Sequence, residues 1–253
     1  MFVTQVSVIT VVMNHVIGLK NTHESLLNQI FLDWEMIIVV GDSSDGTLSL
    51  AKILQAEDPR VRLIEQSGKG IYEAMNEGLG LAVGNYTWFM NAGDKFASES
   101  TLLRAVNEIA KREVGLLIGG HQLEGSQQNF SARCRQGNVT PISFAFNRGG
   151  GCHQAMIFRT MILEEIGGFN VSYSLASDFD LAIKVIKKSR AIRIFEIYAE
   201  IEPGGIADRN IFQVHQQKHQ IRRRLLGGWL ICTASLMWTF LARAKIVIRN
   251  VLS

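Results

Sequence analysis

Seven side chains carry the chemistry this sequence offers. Asp42 stands in the turn Gly41-Asp42-Ser43-Ser44-Asp45-Gly46-Thr47, Lys69 lies between two glycines, and Asn76 sits one helical turn beyond Tyr72. Asn91 and Asp94 bracket Asn91-Ala92-Gly93-Asp94, His153 follows a run of glycines, and Asp178 lies in Ser177-Asp178-Phe179-Asp180. A glycine-bracketed turn at a helix start offers backbone N–H groups to phosphate oxygens, and Lys69 can add its charge. Asp94, a lone carboxylate at a strand's carboxyl end, is the hard oxygen ligand that suits Mg²⁺ or Mn²⁺ on a diphosphate. A short acidic turn after a strand, as at Asp42, can meet a ribose hydroxyl or a base edge. Asp178 either caps the helix that follows or acts as a general base toward a hydroxyl. Together these residues suggest a nucleotide-sugar site.

Each also has a plainer use. Asp45-Gly46 is an ordinary turn, and Asp or Ser there caps a helix. Gly68-Lys69-Gly70 lacks the longer glycine spacing and the Ser/Thr of a Walker loop. Gly93 occupies the place of a second acid, so the carboxylate at Asp94 is unpaired, and Asn91 offers a neutral oxygen or only a turn contact. His153 is a further metal ligand, a phosphate contact or a structural residue. Asp180 suits the first turn of a helix, where negative charge is favoured.

The elements that must position these residues alternate. Strands are expected at 6–12, 35–40, 61–64, 86–90, 116–119, 155–158 and 191–197. Helices are expected at 19–28, 47–55, from Ile71, and at 98–112, 159–166 and 177–189. The helix from Ile71 has apolar residues Ile71, Met75, Leu79 and Ala82 at helical spacing, and Ser98 or Ser100 is expected to cap the one at 98–112. This pattern predicts an α/β fold with a largely parallel sheet. Between Gln122 and Gly151 the chain is polar and glycine-rich, and a short hairpin with an adaptable loop is expected.

Bulk properties narrow the setting. The 253 residues suit one domain with a tail. The net charge of +3 hides an asymmetry, with 18 Lys/Arg against 21 Asp/Glu in residues 1–200 and 8 against 2 in residues 201–253. The basic end flanks an apolar run and is not interleaved with stacking aromatics, which favours an anionic membrane surface over nucleic acid as partner. Three scattered cysteines form neither a disulfide framework nor a zinc spacing and fit a reducing compartment. The first apolar stretch, 6–13, is too short for a signal-peptide core and reads as a buried strand.

Taken in order, the S-V-I-T-V strand, D-S-S-D-G-T, G-I-Y-E-A-M-N-E-G, the strand ending in N-A-G-D, H-Q before a strand, I-G-G-F and A-S-D-F-D-L resemble the inverting family 2 glycosyltransferases of bacterial polysaccharide assembly. The branch most resembled includes colanic-acid and other exopolysaccharide biosynthesis glycosyltransferases, and the match runs over about residues 5 to 206. The resemblance implies a GT-A fold, with a single Rossmann-like, mostly parallel sheet flanked by helices. It implies a UDP- or GDP-sugar donor, Mg²⁺ or Mn²⁺, and direct displacement at the anomeric carbon, and with a membrane-facing tail the acceptor expected is a lipid-linked saccharide. Carried over residue by residue, Asp42 meets the nucleoside, Asp94 holds the metal and diphosphate, and Asp178 deprotonates the acceptor. Lys69, Asn76, Asn91 and His153 complete the expected substrate-binding set. Two departures stand out: the family turn usually reads D-G-G-S or D-D-G-S, and Gly68 replaces a frequent acid. A catalytically silent scaffold and a sugar nucleotidyltransferase are the alternative readings.

Residues 225–242 carry no charge and lie between Arg222-Arg223-Arg224 and Arg243, Lys245 and Arg249. As a helix they reach about 27 Å, the lower limit for a span. The division expected is a glycosyltransferase domain at 1–206 and a basic, apolar helical tail at 207–253. That tail is expected to lie in the cytoplasmic leaflet of the inner membrane, making the protein cytoplasmic and peripherally attached.

Overall fold

The structure is a computed structural model that describes residues 6–126, 136–146, 152–227 and 233. Strands β1 (Val6–Val12) and β2 (Trp34–Val40) are buried along their whole length, as Val- and Ile-rich strands are when both sheet faces are covered. They pair in parallel, Val6 opposite Trp34 and Val12 opposite Val40. β3 (Val61–Glu65) adds to β2 and β4 (Tyr86–Phe89) adds to β1, again in parallel. Helices α1 (Val16–Leu27), α2 (Thr47–Glu57) and α3 (Ile71–Leu79) lie in the connections, since parallel neighbours need a crossover.

The chain continues through β5 (Lys95–Phe96), α4 (Thr101–Arg112), β6 (Leu116–Leu123), β7 (Gly137–Asn138) and α5 (Pro141–Phe146). A single 3₁₀ turn, His153–Ala155, leads into β8 (Met156–Arg159), α6 (Thr160–Ile166), α7 (Ser177–Lys188), β9 (Ala191–Ile201), α8 (Ile206–Arg209) and α9 (Ile211–Leu226). The described strands form one sheet in the order β3-β2-β1-β4-β8-β6-β9-β5, with β7 also on β9. β8 runs against β4 and β6, and β6 and β9 resume the direction of β1. Otherwise only the two-residue β5 and β7 run the other way. The mostly parallel α/β sheet expected from the sequence is present.

Alternation along the strands divides the core. Val8, Val12, Met36 and Ile38 pack with Leu19 and Leu26 of α1, Leu54 of α2 and Ile109 of α4. Ile9, Val11, Ile37 and Val39 face the opposite layer, with Met75 of α3, Leu163 of α6 and Ile183 of α7. Each such side chain contributes about 1.5–3 kcal/mol when fully buried. The carboxyl ends of β1, β2 and β4 emerge together at one edge between these layers.

One local expectation, the cap of α4, is corrected. After Gln122, β6 extends to Leu123 and β7 pairs with β9; the hairpin and loop expected between Gln122 and Gly151 fall largely on residues 127–135 and 147–151, outside those described. Neither Ser98 nor Ser100 caps α4: Gln29 does so from a distance, its Oε1 accepting from Leu102 N–H at 2.9 Å and its Nε2 donating to the Ser98 carbonyl at 2.9 Å. Helix α9, within the segment expected as a tail, packs on the preceding elements. Val214 and Ile221 are buried, and the N–H of Leu175 donates to Gln217 Oε1 at 2.9 Å. Arg222 donates to the Ala145 carbonyl at 2.9 Å, and Arg224 pairs with the fully buried Asp180. Two of the three arginines expected to flank a membrane segment are therefore used by the fold.

Candidate active site

Two loops close one side of the site. Asp45 accepts from the N–H and hydroxyl of Thr47 and, at 3.0 Å, from the N–H of Val16, so one carboxylate binds the first turns of α1 and α2 together. Asn14 adds to this seam, donating its N–H to Ser43 Oγ at 3.0 Å and accepting from Ser44 N–H at 2.8 Å. Asp45 thus does the structural work expected of a turn acid, and Asp42, three residues earlier, is left exposed at the rim.

Asp94 lies at the bottom. Thr22 of α1 fixes its turn, accepting from Gly93 N–H at 3.0 Å and donating its hydroxyl to the Asp94 carbonyl at 2.7 Å. The Asp94 side chain is 4 % exposed; Oδ2 accepts from Gln154 Nε2 at 2.7 Å and Oδ1 from the Glu202 N–H at 2.9 Å. Burial pushes its carboxyl up to about 6 despite those two donors.

The 3₁₀ turn joins Asp94 to the other acid. While Gln154 holds Asp94, His153 Nδ1 stands 3.5 Å from Asp178 Oδ2 and its Nε2 stands 3.5 Å from Asn91 Oδ1. Asp178 Oδ1 accepts from the N–H of Phe179 at 2.7 Å and from the Tyr72 hydroxyl at 3.4 Å. Burial acts to raise the Asp178 carboxyl, but His153, the Lys218 ammonium and the Phe179 N–H outweigh it and hold the acid below its ordinary value. Asp178 is thus an ionised carboxylate whose side chain keeps 22 % exposure, which is what proton abstraction requires. Asp180 takes a separate role in ion pairs with Lys184, at 3.0 Å, and Arg224.

Two further expected residues flank and sit on α3. Lys69 is exposed, but the N–H groups of Ser67 and Gly68 beside it donate to the carboxylate of Glu77, at 3.1 and 2.8 Å. Those two amides close the loop onto α3 and do not face an open phosphate cradle. Asn76 clamps Phe169, accepting its N–H at 2.8 Å and donating to its carbonyl at 2.9 Å. It ties α3 to the Gly167-Gly168-Phe169 turn.

Sequence reasoning passed over Gln154, Glu202, His15 and Lys218. Gln154 adjoins His153 and Glu202 follows the last long strand, so both had a positional signal. Lys218 had none: it is one of many polar residues on α9, and only the packing of α9 on α7 brings it beside Phe179, 5.2 Å from the ring centroid.

This geometry can be set beside known proteins. The model of "Glycosyl transferase family 2" matches residues 7–167. The chain belongs to glycosyl transferase family 2. Among relatives of this family 2 chain, a "PGL/p-HBAD biosynthesis glycosyltransferase" of Mycobacterium tuberculosis (strain ATCC 25177 / H37Ra) is 26% identical over 234 residues, 91% of this chain and 89% of that one. The Escherichia coli "UDP-Glc:alpha-D-GlcNAc-diphosphoundecaprenol beta-1,3-glucosyltransferase WfgD" is 23% identical over 164 residues, 64% of this chain and 62% of WfgD. Staphylococcus aureus TarS 1-349 in complex with UDP-GlcNAc has the same fold, with a TM-score of 0.74 at 17% identity over 93% of this chain and 72% of that one. This chain spans 66% of TarS 1-349 in its UDP complex. The mannosyltransferase PcManGT from Pyrobaculum calidifontis, in complex with GDP-Man and Mn²⁺, gives 0.68 at 19% identity over 96% and 75%. These likenesses show the GT-A fold.

The donor set at Asp94 fits a divalent cation of the Mg²⁺ or Mn²⁺ kind. Asp94 offers a hard carboxylate, with the Asn91 side-chain oxygen in the same turn. Among the described residues no group of three His, Cys, Asp or Glu side chains converges as a self-sufficient metal cage.

Proposed function

We propose that this family 2 chain is an inverting glycosyltransferase that moves a sugar from a UDP- or GDP-sugar to a lipid-linked saccharide in surface polysaccharide assembly. The observation that carries the reading is the turn at His153-Gln154, which reaches Asp94 with one side chain and Asp178 with the next. An acid fit for a cation and an ionised acid fit for a base are thereby linked through adjacent residues of one turn. Asp178 accepts the proton of the acceptor hydroxyl as its oxygen bonds to the anomeric carbon and the bond from that carbon to the diphosphate breaks. Attack opposite the leaving group inverts the anomeric centre. A bound Mg²⁺ or Mn²⁺ supplies charge neutralisation for the departing diphosphate. Asp42 at the rim is assigned to the nucleoside, and Lys69, Asn91 and His153 to the donor phosphates.

The donor class is supported by neighbours that hold UDP, UDP-GlcNAc and GDP-Man with Mn²⁺. The acceptor class is supported by the diphosphoundecaprenol in the name of WfgD. Calorimetric titration with UDP and GDP, each with and without Mn²⁺, tests the donor reading. One nucleotide should bind in a metal-dependent way and Asp94→Asn should weaken it; no binding in any condition would sink the proposal in favour of a silent scaffold.

The chain's basic, apolar end is assigned to the inner membrane face. Among the described residues no helix is long and apolar enough to cross a membrane, and residues 228–232 and 234–253 lie outside them. Full-length protein should sediment with phosphatidylglycerol-containing vesicles at low salt and a chain ended after Gly227 should not. Equal behaviour of the two would remove the tail from the membrane reading.

A further inference from the structure

Gly93 lacks the acid that would make a carboxylate pair with Asp94, yet the space above it is occupied by an acid from elsewhere. Its φ of +102° is a left-handed value that favours glycine. A Cβ built there would fall on the Glu202 carboxylate, 2.9 Å from Cδ and closer to Oε2, and 3.1 Å from His15 Cε1. Glu202 follows β9, and its backbone N–H donates to Asp94 Oδ1 at 2.9 Å. The peptide that delivers the second carboxylate is therefore locked to the first, across 108 positions of sequence.

The charge around this pair is left unbalanced by protein. Among the described residues neither acid forms an ion pair with Lys or Arg; the ionic neighbours are two histidines, His15, whose Nε2 lies 3.5 Å from Glu202 Oε1, and His153, whose charge acts on Asp94. Buried carboxylates are paired with cations or coordinate metals, and Asp94 has only neutral donors, Gln154 and a backbone N–H. Asp94 is deep in the cleft, while the Glu202 side chain keeps 42 % exposure and can turn toward a ligand.

We propose that Glu202 is the second carboxylate toward the donor's divalent cation, supplied from the end of β9 to the side-chain space left empty at Gly93. This rests on the assignment of Asp94 above. The chain then keeps two acids at its cation site although the local motif holds one, and the substrate diphosphate completes the oxygen shell.

Mn²⁺ binding followed by electron paramagnetic resonance, with UDP or GDP present, tests this without any turnover. Glu202→Gln preserves size and should weaken Mn²⁺ at least about tenfold, the lower end of the loss seen when groups supporting a metal site are removed. His15→Gln should change it far less, and unchanged melting of each variant shows that the fold is kept. Wild-type affinity in Glu202→Gln would overturn the proposal while leaving Asp94 in place. Equal losses in Glu202→Gln and His15→Gln would also overturn it, since Glu202 would then merely fasten His15. Failure of the assignment beneath it reads differently: Asp94→Asn would bind Mn²⁺ as wild type does, or no protein would bind it, and the proposal would fall with that assignment.

Discussion

His153 Nδ1 lies 3.5 Å from Asp178 Oδ2 while its Nε2 lies 3.5 Å from Asn91 Oδ1, so one imidazole spans from the end of β4 to the start of α7. His153 belongs to the forces that hold the Asp178 carboxyl below its ordinary value. His153→Ala should move the acid limb of the pH–rate profile upward as well as slow turnover. A slower enzyme with an unmoved limb would make His153 a spacer with no influence on the base.

The clamp between Asn76 and Phe169 predicts a different signature. Asn76→Ala removes two hydrogen bonds at 2.8 and 2.9 Å, each worth about 1 kcal/mol net. Urea unfolding should show a loss of about 2 kcal/mol, with nucleotide affinity little changed. A large affinity loss at unchanged stability would return Asn76 to the substrate side.

Asp94 gives a pH dependence to the metal-free fold. Its carboxyl is raised to about 6 by burial, above the roughly 3.9 of an unfolded chain. Between those values the folded chain binds more protons than the unfolded one, so stability rises as pH falls toward 4 and is lost as pH climbs through about 6. Asp94→Asn in the presence of chelator should flatten that stretch of the urea midpoint against pH. Superimposable curves would mean that the acid ionises at an ordinary pH.

Helix α9 should behave as part of the catalytic domain. Asp180 is fully buried and held by Arg224 as well as Lys184. Arg224→Met leaves one cation in place, so about 2 kcal/mol should be lost, less than the roughly 3–5 kcal/mol for an acid stripped of its partner. A chain ended after Gly205 should fail to fold or melt early, whereas one ended after Gly227 should unfold at the same urea concentration as the full chain. Independence of folding from α9 would support the boundary at 206/207.

The strand and helix order was legible because Val- and Ile-rich runs alternate with 3.6-residue patterns, a local property. The family was legible from short motifs in order. The use of individual polar groups was less so, because it depends on distant partners. Asn76 looks free within its helix and is engaged by Phe169, 93 positions away. The amides of Ser67 and Gly68 look available and are taken by Glu77. Gln29 caps a helix that begins at Thr101, and Glu202 comes to Gly93 only when β9 pairs in register with β6. The basic run Arg222-Arg223-Arg224 reads as a flank to an apolar tail, yet burial against α5 and α7 decides what two of its members do.

The central claim is that Asp178 takes the acceptor's proton in a site whose donor is held elsewhere. Its most direct test is turnover of wild-type protein and Asp178→Asn at saturating nucleotide sugar, measured as nucleoside diphosphate released, with donor affinity determined in parallel. Turnover in Asp178→Asn should fall about 10²–10⁴-fold with donor affinity retained; wild-type turnover, or a fall that follows lost donor binding, would contradict the assignment.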